Sequence, residues 1–168
     1  NILPLKNHQS ISSIMPFPDE DVDKKNMHII FATSKGKIRK NNLEDFSSIN
    51  ASGKIAMKLD SDDKIIGVKI CTDDQDIMLN TRFGKCIRFE SKKLRVFKGR
   101  SSKGIRGINL SEKDTIVSLS IIDKDDIKKN KSKTKDEKSE VKAKEKFILS
   151  ITELSLIHIS EPTRRYAI

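Results

Sequence analysis

Tryptophan is absent from this 168-residue sequence, tyrosine occurs once and cysteine twice. Each scarcity excludes something. Without Trp, repeats of the WD type have no signature residue. Cys71 and Cys86 stand alone, with no CxxC neighbour, and read as small apolar residues in a reducing compartment rather than as a disulfide pair. His8, His28 and His158 are scattered and lack metal-ligand spacing, so no metal site is expected. No apolar run approaches the roughly 18 residues that span a bilayer. The basic stretches also lack the 3.6-residue apolar stripe of an interfacial helix. No nucleophile stands beside a base, and no glycine-rich phosphate loop leads into a helix, so no catalytic residue is assigned.

What is present is positive charge and repetition. Lys and Arg number 34 against 24 Asp and Glu, a formal charge of +10. The densest stretch, 82–106, holds ten basic residues and one acid, Glu90. Such a density attracts phosphate backbones. The basic residues also recur in register. Thr33-Ser34-Lys35-Gly36-Lys37-Ile38-Arg39-Lys40 returns 48 positions later as Thr81-Arg82-Phe83-Gly84-Lys85-Cys86-Ile87-Arg88. Gly53-Lys54-Ile55-Ala56-Met57-Lys58-Leu59 returns 51 positions later as Gly104-Ile105-Arg106-Gly107-Ile108-Asn109-Leu110. A period near 50 residues implies stacked or radial units that each present one common face. Here that face is basic, as a surface for a polyanion would be.

Through residue 123, short β-prone runs alternate with Gly, Asn, Asp and Ser. Strands are expected near Ser10–Met15, His28–Ala32, Lys37–Lys40, Lys54–Lys58, Lys64–Cys71, Asp76–Asn80, Cys86–Phe89, Gly107–Leu110 and Thr115–Ile121. Gly36 and Gly84 mark hairpin turns that require positive φ. Four strands per period of 50 describe a propeller blade. The segment 124–146 is nearly all Lys, Asp, Glu, Ser and Thr, and reads as a disordered insertion too poor in apolar residues to order itself. Strand pattern resumes at 147–153, the start of a further blade. Residues 154–168 resemble the in-frame translation of a transposase-type sequencing adapter, and they depart from the glycine turn and basic residues that the repeat predicts there. They are set aside from structural reasoning.

Taken together, Phe31–Lys40, Gly53–Leu59, Ile65–Val68, Arg100–Leu110 and Val117–Leu119 resemble, in order and spacing, the C-terminal domain of the bacterial DNA gyrase A subunit. The resemblance implies an all-β fold, a β-pinwheel (a six-bladed, propeller-like ring whose blades exchange strands), of which this chain holds about two to three four-stranded blades. It implies a DNA-binding and DNA-wrapping domain, with double-stranded DNA as partner. The gyrase B subunit would join it in an A2B2 heterotetramer through a region absent here. It also implies ATP-dependent negative supercoiling by a type II topoisomerase, an isomerase in the bacterial cytoplasm and nucleoid. ATP and Mg2+ serve the parent complex, and no cofactor is expected in this segment. The basic glycine-rich box that separates wrapping gyrases from topoisomerase IV relatives has no match here. The equivalent domain of a topoisomerase IV subunit therefore stays open, as does a protein-interaction propeller.

The residues expected to contact DNA are Lys35, Lys37, Arg39, Lys40, Lys54, Arg82, Lys85, Arg88, Lys92, Lys93, Arg95, Lys98, Arg100, Lys103 and Arg106. Long, adaptable cations spread along a curved rim suit wrapping, which needs phosphate contacts and little base reading. Single-strand platforms would need aromatics among the cations, and only Phe83, Phe89 and Phe97 qualify, Phe89 reading as core. Arg106, beside Gly104 and Gly107, could instead bond a turn within the blade. Asp60, Asp62 and Asp63 look like a metal cluster, but the repeat replaces them with Ser111, Lys113 and Asp114, which favours a solvated turn.

Overall fold

The computed structural model describes residues 11–18, 24–48, 53–99, 101–124, 148–151 and 157–160. Arg100 and all but the first residue of the Lys-rich segment lie outside this set. The chain divides into two compact units, 1–122 and 123–168.

In the first unit, apolar residues alternate along the strands and glycines close the hairpins. Strand β1 (His28–Thr33) pairs antiparallel with β2 (Lys37–Asn42) and, on its other side, with β3 (Ile65–Cys71). The second repeat copies this arrangement. Strand β4 (Asp76–Thr81) pairs with β5 (Cys86–Glu90) and with β7 (Ile116–Ile122). The copying extends to register: Ile29 faces Asn41 and Ile77 faces Phe89, both partners 48 positions on. Even the irregularity recurs, between Ala32 and Thr33 and again between Asn80 and Thr81. Short 3-10 turns, Leu43–Phe46 and Ser91–Lys93, follow the second strand of each repeat.

The first blade is completed by chain from the second. After β5, the connection runs back along the open edge of β2, making a parallel bridge between Val96 and Lys40. It then adds β6 (Ile105–Arg106) antiparallel to Lys37 and Ile38. The sheet order is therefore β3-β1-β2-β6, with the second sheet ordered β5-β4-β7. This is the strand exchange that the resemblance implies. Gly104 makes it possible. Its φ is +80°, and a Cβ there would sit 2.5 Å from the Ile38 carbonyl oxygen.

One core lies between the two sheets, built on Ile30, Ile38, Ile77, Leu79, Ile116 and Leu119. A second covers the opposite face of β1 with Ile29, Phe31, Leu43, Phe46 and Met57. Three expected strands are absent among the described residues. Residues 11–18 and 53–59 form no strand, Ser10 lying outside the described residues, and in 107–110 the ladder has already ended at Arg106. Their β-prone side chains pack or face solvent, but a strand needs a partner edge. The repeat makes Lys54–Ile55 equivalent to Ile105–Arg106, and no strand among the described residues offers the edge that β2 offers to β6.

In the second unit, β8 (Ile148–Ile151) and β9 (Ile157–Ser160) form an antiparallel hairpin. Ile148 faces Ser160, the register of Ile77 and Phe89 moved by 71 positions. The repeat's backbone pairing thus reaches into the stretch set aside on sequence grounds.

Candidate nucleic-acid interface

Each hairpin turn is built from the same parts. Gly36 and Gly84 take φ of +80° and +83°, a conformation that costs other L-residues about 1–2 kcal/mol. The Lys37 amide donates to the Thr33 hydroxyl at 3.2 Å, and the Lys85 amide to the Thr81 hydroxyl at 3.0 Å. A carboxylate then caps the turn. Asp63 accepts from the Lys35 amide (3.0 Å), the Ser34 hydroxyl (2.9 Å) and the Lys64 amide (3.0 Å). Asp114 accepts from the amides of Phe83 (3.1 Å) and Thr115 (2.9 Å). Burial works against ionisation at Asp63, but these donors outweigh it and hold the carboxyl below its usual value.

These turns place Lys37 and Lys85 at equivalent positions, one at the start of β2 and the other just before β5. Lys85 is exposed, and its ammonium donates to the Ser111 hydroxyl at 2.5 Å. Lys37 is half-buried and paired with Asp60, which also receives Lys103. The ammoniums of Lys103 and Lys37 hold the Asp60 carboxyl down at about 2. Arg106 faces Lys37 across the β2–β6 ladder, so that Lys37, Lys103 and Arg106 gather at one edge of the first blade. Lys35 lies in the turn of the same β1–β2 hairpin, 3.7 Å from Asp62. The three neighbouring aspartates therefore separate: Asp60 and Asp62 meet lysines and Asp63 caps a turn. Among the described residues no group of three or more His, Cys, Asp or Glu could hold a metal.

The second exposed array follows β5. Lys92 and Lys93 flank Glu90 at 3.1 and 3.4 Å. Arg95 stacks on the Phe97 ring at 4.3 Å, a cation–π contact, and Lys98 is exposed beyond it. Arg82 and Phe83 are exposed at the second hairpin tip. Lys54 is half-buried, its ammonium on the Asp45 carbonyl at 3.3 Å. Arg88 is half-buried, paired with Asp76 at 2.9 Å.

Arg39 and Lys40 depart from the expectation that they line a rim, since both are 1% exposed. The reason is the connection laid over β2. Arg39 lies over Phe97 at 5.0 Å. Its guanidinium donates to the Asn41 side chain (2.7 Å) and to the Ser102 carbonyl (2.5 Å) and hydroxyl (3.1 Å). Lys40 donates to Asp73 at 2.5 Å and to the Ser91 carbonyl at 3.1 Å. Asn41 donates to the Phe97 carbonyl at 2.7 Å. These three side chains fasten the exchanged segment to its host blade. The Lys40 ammonium holds the Asp73 carboxyl below its usual value, and burial, with the same ammonium, lowers the His28 imidazole. Asp63 and Asp114, read from the sequence as part of a solvated turn, are instead buried caps, and the signal was present: of the three clustered aspartates only Asp63 recurs as Asp at the 51-residue spacing.

The fold and its surface define a class, strand-exchanging propeller blades with cations on the exposed turns and connections. Comparison with known proteins sharpens this. The family model "DNA gyrase C-terminal domain, beta-propeller" matches residues 28–72 and 75–123. The chain belongs to that family. It is 46% identical over 122 residues to the DNA gyrase A subunit of Rickettsia conorii, covering 73% of this chain and 14% of that protein. The DNA gyrase A subunit of Staphylococcus epidermidis is 36% identical over 123 residues, 73% of this chain and 13% of that protein. The chain therefore spans about a seventh of these curated relatives. Among solved structures, the C-terminal domain of DNA topoisomerase IV superposes with a TM-score of 0.63 at 25% identity, over 72% of this chain and 36% of that one. The DNA gyrase A C-terminal domain superposes with a TM-score of 0.52 at 24% identity, over 68% and 40%.

Proposed function

We propose that these blades form part of a DNA-binding and DNA-wrapping domain of a gyrase A subunit. The observation that carries this reading is the cationic turn repeated from blade to blade, Lys37 and then Lys85, joined by the exposed array Lys92, Lys93, Arg95, Lys98 and Lys103. Repeated cations at fixed spacing on successive blades suit a duplex backbone that follows the curve of the ring. Bending a site of 20–30 base pairs costs on the order of 1–6 kcal/mol, which distributed phosphate contacts can offset. Affinity should then fall steeply with salt as counterions are released. The parent enzyme would be a type II topoisomerase in which an A2B2 assembly with the gyrase B subunit uses ATP and Mg2+ to drive negative supercoiling. This segment would contribute binding and curvature of DNA but none of the chemistry, in the cytoplasm where the nucleoid lies.

The test is closure of nicked circular DNA by ligase in the presence of the intact domain. A linking-number shift that grows with protein and vanishes at high salt is expected. Lys85→Ala together with Lys98→Ala should shrink the shift and flatten the salt dependence by about one unit of slope for each phosphate no longer neutralised. Binding without a shift would favour the topoisomerase IV reading, to which the superposition on that protein's C-terminal domain lends weight. Absence of salt-sensitive duplex binding would overturn both.

A further inference from the structure

The two repeated turns carry different partners for the same lysine. Asp60 opens the turn that ends at Asp63, whose amide donates to the Asp60 carbonyl at 3.1 Å. The second repeat makes the same turn, with the Asp114 amide on the Ser111 carbonyl at 3.1 Å. Within this shared frame a carboxylate stands in one blade and a hydroxyl in the other. Lys37 meets the carboxylate and Lys85 the hydroxyl.

The carboxylate is shared. Lys37 comes from the first blade's own strand, and Lys103 from the connection that the second blade lends to it. One Asp60 oxygen receives Lys37 and the other receives Lys103. Two ammoniums converging on two oxygens of one anionic group is also how a pair of lysines holds a backbone phosphate. The group is reachable from solvent: the side chains of Lys37, Asp60 and Lys103 are 30%, 31% and 47% exposed.

We propose that Asp60 is an internal counter-anion of the rim. In the free protein it holds the place of a phosphate between Lys37 and Lys103, and a duplex phosphate displaces it on binding. The inference rests on reading this surface as duplex-binding. Its consequence is a graded rim. DNA must break two ion pairs to engage the first blade at this point, whereas Lys85 gives up only a neutral hydroxyl. Asp60 acts on affinity through the two lysines and tunes how firmly the first blade holds the duplex.

The repeat supplies the substitutions. In the intact polypeptide that carries these blades, Asp60→Ser installs the second blade's residue in the first, and Ser111→Asp does the reverse. Binding of a linear duplex of mixed sequence is measured across a potassium chloride series. Asp60→Ser should tighten binding roughly three- to tenfold at low salt and steepen the salt dependence by about one to two units of slope, as one or two more phosphates are neutralised. Ser111→Asp should loosen binding and flatten the slope. Melting curves establish that each variant is folded, and if Asp60→Ser is not, Ser111→Asp alone decides. Salt-dependent binding by the parent with no change in either variant would overturn the counter-anion role and leave the DNA reading standing. No duplex binding by the parent or either variant would overturn the DNA reading itself, and the inference with it.

Discussion

Strands β2 and β5 are the same strand of successive blades, yet they live in different surroundings. Ile38 through Asn41 are buried on both faces because the 91–106 connection closes over them. Cys86 is exposed, and Ile87 through Glu90 are only half-buried, with no strand among the described residues on that edge. Burial in this architecture is thus conferred by the next blade along. Equivalent side chains take different work from it. Lys40 is an interior fastener to the Ser91 turn, while Arg88, its counterpart, keeps a more exposed ion pair with Asp76.

Breaking the closure should give the largest effect. Gly104 and Gly53 occupy equivalent positions with φ of +80° and +78°, but a Cβ meets the Ile38 carbonyl at Gly104 and nothing within 4 Å at Gly53. Gly104→Ala should cost about 2–5 kcal/mol, combining left-handed strain with overpacking. Gly53→Ala should cost about 1–2 kcal/mol, from strain alone. Urea midpoints of the intact polypeptide would compare them, and equal losses would contradict the account of strand exchange.

A smaller contrast is expected at the basic pair. Lys40→Met removes a buried ammonium bonded to Asp73 and Ser91 and should destabilise by about 1–3 kcal/mol. Arg88→Met should stay within about 1 kcal/mol, as partly exposed pairs do. Thermal melts of the two variants would measure the gap.

The smallest effect concerns a feature the blades share. Asp63 is held below the ordinary carboxylate value in the folded state. Its contribution is therefore fully present above the unfolded value of about 3.9 and is lost as pH falls through the lower folded value. Asp63→Asn should lower stability at neutral pH and make the acid limb of the stability curve shallower. A parallel acid limb in the variant would mean that the turn is not held by charge.

Much of this architecture was legible in the residues. Alternating Ile, Val, Phe and Met with punctuating glycines located β1 to β5 and β7, and the 48- and 51-residue spacings located the blades. The Lys37 and Lys85 turns were legible for the same reason. Arg39 and Lys40 were not, because a cation following a hairpin glycine looks alike whether its strand edge is open or covered, and the cover lies some sixty residues downstream. Lys54–Lys58 and Gly107–Leu110 misled because β-propensity reports a side chain's fit to a pleated surface and not the existence of a partner edge.

That cover has a consequence in time. Strand β2 ends at Asn42, while the segment that seals it ends at Arg106. A ribosome adding about 5–20 residues per second leaves the edge of β2 bare for about 3–13 s after the strand itself has been made. Until the chain from Ser91 to Ser102 is made, Arg39 and Asn41 have only each other to bond and Lys40 only Asp73. Their charge and polarity then discourage a nascent, unpaired strand from joining the wrong neighbour.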